Sequence, residues 1–121
     1  MRKILVVEDD QDIRDIVDLV LSADGFTIIQ HATGLGVMEV VEAHQPDLIL
    51  LDLTLPGRAG TELCKELKEN YTIPVVLFTA HAHPEEPVAG CGADSYLAKP
   101  FNISDLVQTI KTHLDHSTKV F

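Results

Sequence analysis

Short apolar runs alternate along this chain with stretches in which apolar residues recur every three or four positions. The clearest run is Leu-Ile-Leu-Leu at 48–51, which leads directly into Asp52 and a turn. An unbroken apolar run of this length, bounded by turn residues, predicts a strand buried on both faces. Four further runs predict strands at 4–7, 26–30, 74–79 and 93–98.

The stretches between these runs have the period of amphipathic helices. The first helix is predicted from Gln11, with Asp10 or Asp12 as its cap and Gly25 as its stop. Two more are predicted at about 35–44 and 59–70, and Asn102 can cap a last one. The apolar residues expected to face the core are Ile13, Ile16, Val17, Val20 and Leu21 in the first helix, and Leu106, Val107, Ile110 and Leu114 in the last.

Five strands alternating with helices predict an α/β fold with right-handed crossovers, a doubly wound parallel sheet. The first, third and fourth strands are the most apolar and should lie inside the sheet. The flavodoxin-like order 2-1-3-4-5 satisfies this requirement and places the switch point between the first and third strands. Glu8, Asp9 and Asp52 then become neighbours at the carboxyl edge of the sheet.

The segment 80–92 departs from this regular pattern. It contains Pro84, Pro87, Gly90 and Gly92. Proline inside a helix costs about 3 kcal/mol and each glycine nearly another 1 kcal/mol. We therefore expect a shortened or irregular fourth helix, with at most one or two turns around 85–91.

Composition narrows the functional classes. The net charge of −10 argues against nucleic-acid binding, because the chain has no basic stripe that could displace the counterions of a nucleic acid. No apolar stretch approaches the roughly 20 residues that span a membrane. Cys64 and Cys91 lack zinc-site spacing, and two distant cysteines in a chain of 121 residues are expected to be reduced packing residues. These features predict one cytoplasmic domain over residues 1–121.

Three carboxylates in one crevice repel one another and need a counter-charge. Mg²⁺ is the natural one, because it takes oxygen ligands, keeps several waters and needs only one or two carboxylates. Asp9 and Asp52 could bind it directly, Glu8 through water, and the backbone carbonyl of Thr54 could add a further oxygen. Mn²⁺ could substitute for Mg²⁺.

Two more polar side chains are expected at the same edge. Thr79 ends the fourth strand and Lys99 follows the fifth. A hydroxyl and an ammonium beside a metal-bound carboxylate suit a phosphoryl group. Asp52 would then be a nucleophile that forms an acyl phosphate by in-line attack on a phosphodonor.

These residues resemble, in order and over the whole chain, a two-component response regulator receiver domain. The matching pieces are Glu8-Asp9, Leu50-Leu51-Asp52-Leu53, Leu55-Pro56-Gly57, Gly60, Leu77-Phe78-Thr79-Ala80 and Lys99-Pro100-Phe101. The resemblance implies that a histidine kinase or phosphotransfer protein phosphorylates Asp52. It also implies Mg²⁺ at Glu8, Asp9, Asp52 and the Thr54 carbonyl.

The resemblance has further implications for individual residues. Thr79 and Tyr96 would be the switch pair, and the Lys99–Pro100 bond would be cis. Thr54 and His81 would tune the loss of the phosphoryl group to water. The protein would be a signalling switch rather than an enzyme, beyond self-catalysed phosphoryl acceptance and autodephosphorylation. We expect a stand-alone receiver, a monomer or weak dimer, with neither nucleic acid nor membrane as a partner.

Alternative interpretations remain at this point. The chain could be a degenerate receiver that binds partners without phosphorylation, a possibility that the unusual 80–92 segment keeps open. A haloacid-dehalogenase-type phosphatase would want a second aspartate two residues after the nucleophile, where this chain has Thr54. His81 and His83, with Glu85 and Glu86 nearby, could form a transition-metal site, but such a stretch is more often a polar loop.

Overall fold

Helices and parallel strands alternate throughout the computed structural model, which describes residues 2–80 and 85–118. In chain order the elements are β1 (Lys3–Val7), α1 (Gln11–Ala23), β2 (Thr27–His31), α2 (Val37–His44), β3 (Leu48–Asp52), α3 (Gly60–Asn70), β4 (Val75–Thr79), α4 (Glu85–Cys91), β5 (Ser95–Ala98) and α5 (Ile103–Thr118). The predicted α/β class is confirmed.

The sheet has the predicted order β2-β1-β3-β4-β5, and its neighbouring strands are parallel. Every residue of β3 and β4 is buried, and in β1 only Lys3 is exposed. The edge strands β2 and β5 keep exposed positions. The most apolar strands therefore lie inside, because their side chains are covered on both faces.

Alternate residues of the strands face two separate cores. One core joins the sheet to α1 and α5 and includes Ile4, Val6, Leu48, Leu50, Phe78, Leu106 and Ile110. The other joins it to α2, α3 and α4 and includes Leu5, Val7, Ile49, Leu51, Leu63, Cys64 and Cys91. This two-sided packing holds the carboxyl edge of the sheet in place.

The predicted helix boundaries agree with the structure within a few residues. Asp10 caps α1, its side chain accepting hydrogen bonds from the backbone N–H groups of Asp12 and Ile13. Gly25 follows that helix with φ +95°, as a C′ glycine does. Helix α2 begins at Val37 rather than 35, because Gly36 is left-handed at φ +78°. The core assignment of Ile16 was wrong, since that side chain is 49% exposed.

Helix α4 is short, as predicted. It spans the seven residues Glu85–Cys91, roughly two turns. Pro87 is its third residue, where the backbone N–H has no helical partner in any case, so proline is tolerated. Gly92 follows at φ +78° and ends the helix. The rest of the irregular segment, 81–84, lies outside the described residues.

No helix within residues 2–80 and 85–118 combines the length and apolar character needed to cross a membrane.

Candidate functional site

The register of the sheet brings the acidic residues together. Val7 of β1 lies opposite Leu51 of β3, so Glu8 and Asp52, each one residue further along, meet at the carboxyl edge. Both are buried, with Glu8 1% and Asp52 5% exposed. Buried carboxylates need hydrogen-bond partners or counter-charges, and the surrounding residues supply them.

Asp52 is held by two donors on different oxygens. The backbone N–H of Thr54 donates to Oδ1 over 3.0 Å, and the Lys99 ammonium lies 3.3 Å from Oδ2. The first contact closes the turn after β3. The second places a positive charge beside the carboxylate, where a transferred phosphoryl group would need one.

Glu8 shares the same cation. Its Oε1 accepts a hydrogen bond from Lys99, and its Oε2 accepts from the backbone N–H of Asp10 over 3.1 Å. The Arg14 guanidinium donates to the Glu8 carbonyl over 2.7 Å. Lys99 is therefore a bridge between β1 and β3, and Glu8 is fixed by both its side chain and its backbone.

Asp9 completes an acidic cluster. One carboxylate oxygen from each of Glu8, Asp9 and Asp52 lies within 4.8 Å of the others. A hydrogen bond with the Glu8 carboxyl raises the pKa of Asp9, and desolvation and the charge of Glu8 act in the same direction. Three mutually repelling oxygen donors fit a hard divalent ion such as Mg²⁺. Because Glu8 is already paired with Lys99, it is better suited to act on such an ion through water.

Lys99 is positioned from several sides. The Lys99–Pro100 peptide bond is cis, as expected from the resemblance. The ammonium lies 4.8 Å from the centre of the Phe78 ring, which packs edge-on against Phe101. Burial works to lower the pKa of Lys99, but the hydrogen bond with Glu8 and the charge of Asp52 outweigh it and leave that pKa raised. The ammonium therefore stays charged.

The two proposed switch residues lie on neighbouring strands. Thr79 is buried at the end of β4, and its carbonyl accepts a hydrogen bond from the backbone N–H of Lys99 over 2.7 Å. Tyr96 lies on β5 opposite Leu77 and is 36% exposed. Its side chain lines a groove between β5 and α5 together with Asp105 and Gln108. Tyr96 is therefore at the surface, two residues before Ala98, which is the residue of β5 that lies opposite Thr79.

Of the two residues predicted to tune dephosphorylation, the structure describes only Thr54. Thr54 is exposed beside Asp52, two residues after it. His81 lies outside the described residues, as does His83 of the alternative His-x-His metal site.

Gly60 is the position where the site allows no side chain. A Cβ there would lie 2.4 Å from the carbonyl oxygen of Asp52 and 2.6 Å from the Leu53 Cα. Its own N–H donates to the Leu53 carbonyl over 3.1 Å. The first turn of α3 therefore rests directly on the end of β3, and only glycine permits that contact.

An apolar groove adjoins the cluster. It is lined by Ile13, Ile16, Ala80, Lys99, Pro100, Phe101 and Ile103. Ile16 and Ile103 are about half exposed or more, at 49% and 59%. Lys99, which lines this groove, also contacts Asp52.

Comparisons with known proteins identify the family. The family model of the response regulator receiver domain matches residues 4–111. The chain belongs to the receiver-domain family. Receiver domains are phospho-accepting signalling switches in two-component systems, and they are not generally classed as enzymes.

Solved receiver structures agree with this assignment. The BeF₃-activated N-terminal receiver domain of RstA from Klebsiella pneumoniae is 30% identical, with 93% of this chain and 98% of that chain covered at a TM-score of 0.88. The chemotaxis protein CheY4 of Vibrio cholerae is 25% identical, with 93% and 98% covered at 0.86. NtrX from Brucella abortus is 31% identical at 0.88; the match covers 98% of this chain but 28% of that longer one.

Sequence reasoning missed some supports of this receiver site. Arg14 has no role among the sequence predictions, yet its guanidinium donates to the Glu8 carbonyl. Phe78 has no predicted role beyond its strand and the family motif, yet its ring faces the Lys99 ammonium. The available signal for Phe78 was its place next to Thr79 at the end of an inner strand. No spacing rule indicates the contact of Arg14, which depends on how α1 is tilted.

A second missed feature braces the loop after Asp52. Arg58 binds Glu66 over 2.8 Å and approaches Glu62 at 3.5 Å, both on α3. Gly34 donates its N–H to the Pro56 carbonyl over 3.0 Å, and a Cβ on it would lie 2.8 Å from the Arg58 carbonyl oxygen. The loops after β2 and β3 are thus packed together beside the receiver site.

Proposed function

We propose that Asp52 is the phosphoacceptor of this receiver domain, with Lys99 and Thr79 as its catalytic helpers. The observation that carries the proposal is the double contact of Lys99, which joins Glu8 and Asp52 across two strands. A lysine held there can stabilise negative charge on a phosphoryl group attached to Asp52. A merely structural role for Asp52 would not need two further carboxylates facing it.

The acceptor step follows from these contacts. Asp52 Oδ2 attacks the phosphorus of a phosphodonor, the new O–P bond forms, and the bond to the leaving group breaks in line. Lys99 stays charged and neutralises a phosphoryl oxygen, and the hydroxyl of Thr79 would hydrogen-bond another. The Thr54 N–H keeps the other carboxylate oxygen oriented. In autodephosphorylation, water attacks the same phosphorus and Asp52 is the leaving group.

The acidic cluster supports a divalent-ion requirement. Asp9 and Asp52 would hold Mg²⁺, or Mn²⁺ in its place, with the Thr54 carbonyl as a further ligand and Glu8 acting through water. Bound there, the ion would neutralise the carboxylates and phosphoryl oxygens so that an anionic donor can approach.

The phosphodonor we propose is a histidine kinase or a phosphotransfer protein. The apolar groove supports this, because Lys99 both lines it and contacts Asp52. Readout of the phosphorylated state would involve Thr79 and Tyr96, with Tyr96 turning inward from the exposed position it has here. Tuning of the phosphoryl lifetime by Thr54 and His81, and a cytoplasmic location, remain predictions.

The test is phosphoryl transfer from a small donor. Wild-type protein and Asp52→Asn are incubated with acetyl phosphate and Mg²⁺, and their intact masses are compared. We expect one phosphoryl adduct on wild type, none on Asp52→Asn and none on wild type when a chelator is present.

Either an unmodified wild type or an equal adduct on both proteins would overturn the proposal. An unmodified, folded wild type would favour the degenerate receiver, which binds partners without phosphorylation. The phosphatase alternative finds no support in the family assignment, and Thr54 stands where its second aspartate would be needed.

A further inference from the structure

The two cysteines are far apart in sequence but meet in the fold. Cys64 is on α3 and Cys91 is the last residue of α4, 27 positions later. Both are free thiols and both are buried, at 0% and 5% exposure. The Cys64 Sγ donates to the Cys91 carbonyl over 3.6 Å, and the Cys91 Sγ lies 3.9 Å from the Val88 carbonyl in its own helix.

These thiols lie at the junction that matters for readout. Helix α3 begins at Gly60, which rests on the end of β3 at Asp52, and Cys64 is one turn further along. Helix α4 lies between the end of β4 and β5, the strands of Thr79 and Tyr96. The Cys64 thiol contacts a carbonyl of the last turn of α4, one of those that a helix leaves unpaired.

We propose that Cys64 and Cys91 form a reversible intrachain disulfide that fastens α4 to α3 and so blocks readout of the phosphorylated state. The inference concerns regulation of the proposed switch, and its second half rests on the proposed function. Disulfides in reducing compartments are usually transient and redox-sensing rather than structural.

Access favours Cys91 as the first thiol to react. A surface groove between α3 and α4 reaches it, lined by Thr61, Glu62, Lys65, Pro87, Gly90 and Cys91. Cys64 is more deeply buried, and that burial raises the pKa of its thiol. The thiolate is the reactive form, so Cys64 is better suited to the second, intramolecular step, in which it reacts with the residue that its thiol already contacts.

The oxidant we name is hydrogen peroxide. The Cys91 sulfur attacks one peroxide oxygen, the O–O bond breaks, and the departing oxygen leaves as water with the thiol proton, giving a sulfenic acid. The Cys64 sulfur then attacks the Cys91 sulfur, the S–O bond breaks, and a second water leaves with the Cys64 proton. Two thiols lose two electrons in all and the peroxide gains two. A dithiol reverses the change by exchange.

The first experiment tests the bond itself. The reduced full chain is treated with hydrogen peroxide under native conditions, remaining thiols are alkylated, and intact mass and non-reducing peptide maps are recorded. We expect loss of two hydrogen atoms, no alkylation and a Cys64–Cys91 linked peptide, all reversed by dithiothreitol. Cys64→Ala and Cys91→Ala should give no intrachain link.

Three results would overturn the inference at this stage. They are thiols that stay reduced in the folded chain, oxidation only to sulfinic or sulfonic acid, or links only between two chains. None of them depends on how the single variants fold, because wild type alone provides each result.

The second experiment tests the effect on α4 by backbone amide exchange. The oxidised form should exchange more slowly than the reduced form across 85–91, by about tenfold. With acetyl phosphate and Mg²⁺, both forms should gain the phosphoryl adduct, but only the reduced form should change its exchange across 85–98. Equal exchange in the two forms without donor, or an undiminished response in the oxidised form, would contradict the proposal.

The two proposals fail separately. If neither form gains a phosphoryl group, the proposed function fails, and the exchange difference across 85–91 still decides whether the disulfide fastens α4.

Discussion

The edge of the sheet that carries Asp52, called here the acceptor side, is built very differently from the side formed by α4 and β5, called here the readout side. On the acceptor side, β3 and β4 are buried at every position, and Lys99 joins Glu8 to Asp52. On the readout side, α4 has only seven residues, which include a proline and a glycine, and three of the four residues of β5 are at least partly exposed. The proposed chemistry is thus placed on a rigid frame, whereas the proposed readout lies in elements of low intrinsic stability.

This difference has a physical reason. A carboxylate, a cation and a metal ligand must keep their relative positions to stabilise a transition state. An element that changes conformation on phosphorylation needs alternatives separated by only a few kcal/mol. A short helix weakened by proline and glycine meets that need.

The largest expected effect is on the acceptor side. Gly60→Ala should lower the free energy of unfolding by about 3 kcal/mol, because the new Cβ would lie 2.4 Å from the Asp52 carbonyl oxygen. Urea denaturation measures it. Gly90→Ala, where an added Cβ meets nothing within 4 Å, is the matched control. Equal effects of the two substitutions would remove the contrast between the two regions.

The second largest effect is expected for the substitution Lys99→Ala. Loss of the ammonium should slow phosphoryl transfer from acetyl phosphate by about 100-fold, because nothing then neutralises the developing charge from that side. The time course of the intact-mass adduct gives the rate. Lys65→Ala removes an exposed lysine and should react as wild type does. An unchanged rate for Lys99→Ala would show that the bridge is structural only.

Much of this architecture could be predicted from sequence. Apolar runs and helical periods depend on local spacing, so the strands, their order and the short α4 were confirmed. Glu8, Asp9 and Asp52 could be placed together because parallel strands end at one edge. The contact of Cys64 with Cys91 depends on how α4 docks on α3, and the exposure of Ile16 on how α1 lies on the sheet. Neither is encoded in a local pattern.

On the readout side, Gly90→Ala should raise the free energy of unfolding by up to about 1 kcal/mol. Alanine has the higher helix propensity and restricts the unfolded chain. Gly92→Ala is the opposing control, since φ of +78° strains any L side chain, and it should destabilise by a similar amount. Urea denaturation measures both. Destabilisation by Gly90→Ala would mean that α4 packs more tightly than its contacts indicate.

The smallest effect is expected for Asp9→Asn without Mg²⁺. A raised pKa means that the folded chain holds the Asp9 proton more tightly than the unfolded chain does, so ionising Asp9 destabilises the fold as pH rises through that range. Removing the charge should therefore stabilise the chain at neutral pH by about 0.5 kcal/mol, a small value because Asp9 is exposed. The gain should vanish in acid, below the ordinary pKa of aspartate.

Thermal unfolding across pH measures this gain, with Asp15→Asn on α1 as the control. Added Mg²⁺ should stabilise wild type and the control, but Asp9→Asn much less. Equal Mg²⁺ stabilisation of all three proteins would argue against Asp9 as a ligand.

The most direct test of the central claim is to find the residue that carries the phosphoryl group. Wild-type protein is treated with acetyl phosphate and Mg²⁺, the acyl phosphate is reduced with borohydride, and the modified residue is mapped by tandem mass spectrometry. The predicted result is a single modified position, Asp52, that disappears when a chelator is present. Modification at another residue, or none in a folded and Mg²⁺-supplied protein, would contradict the account.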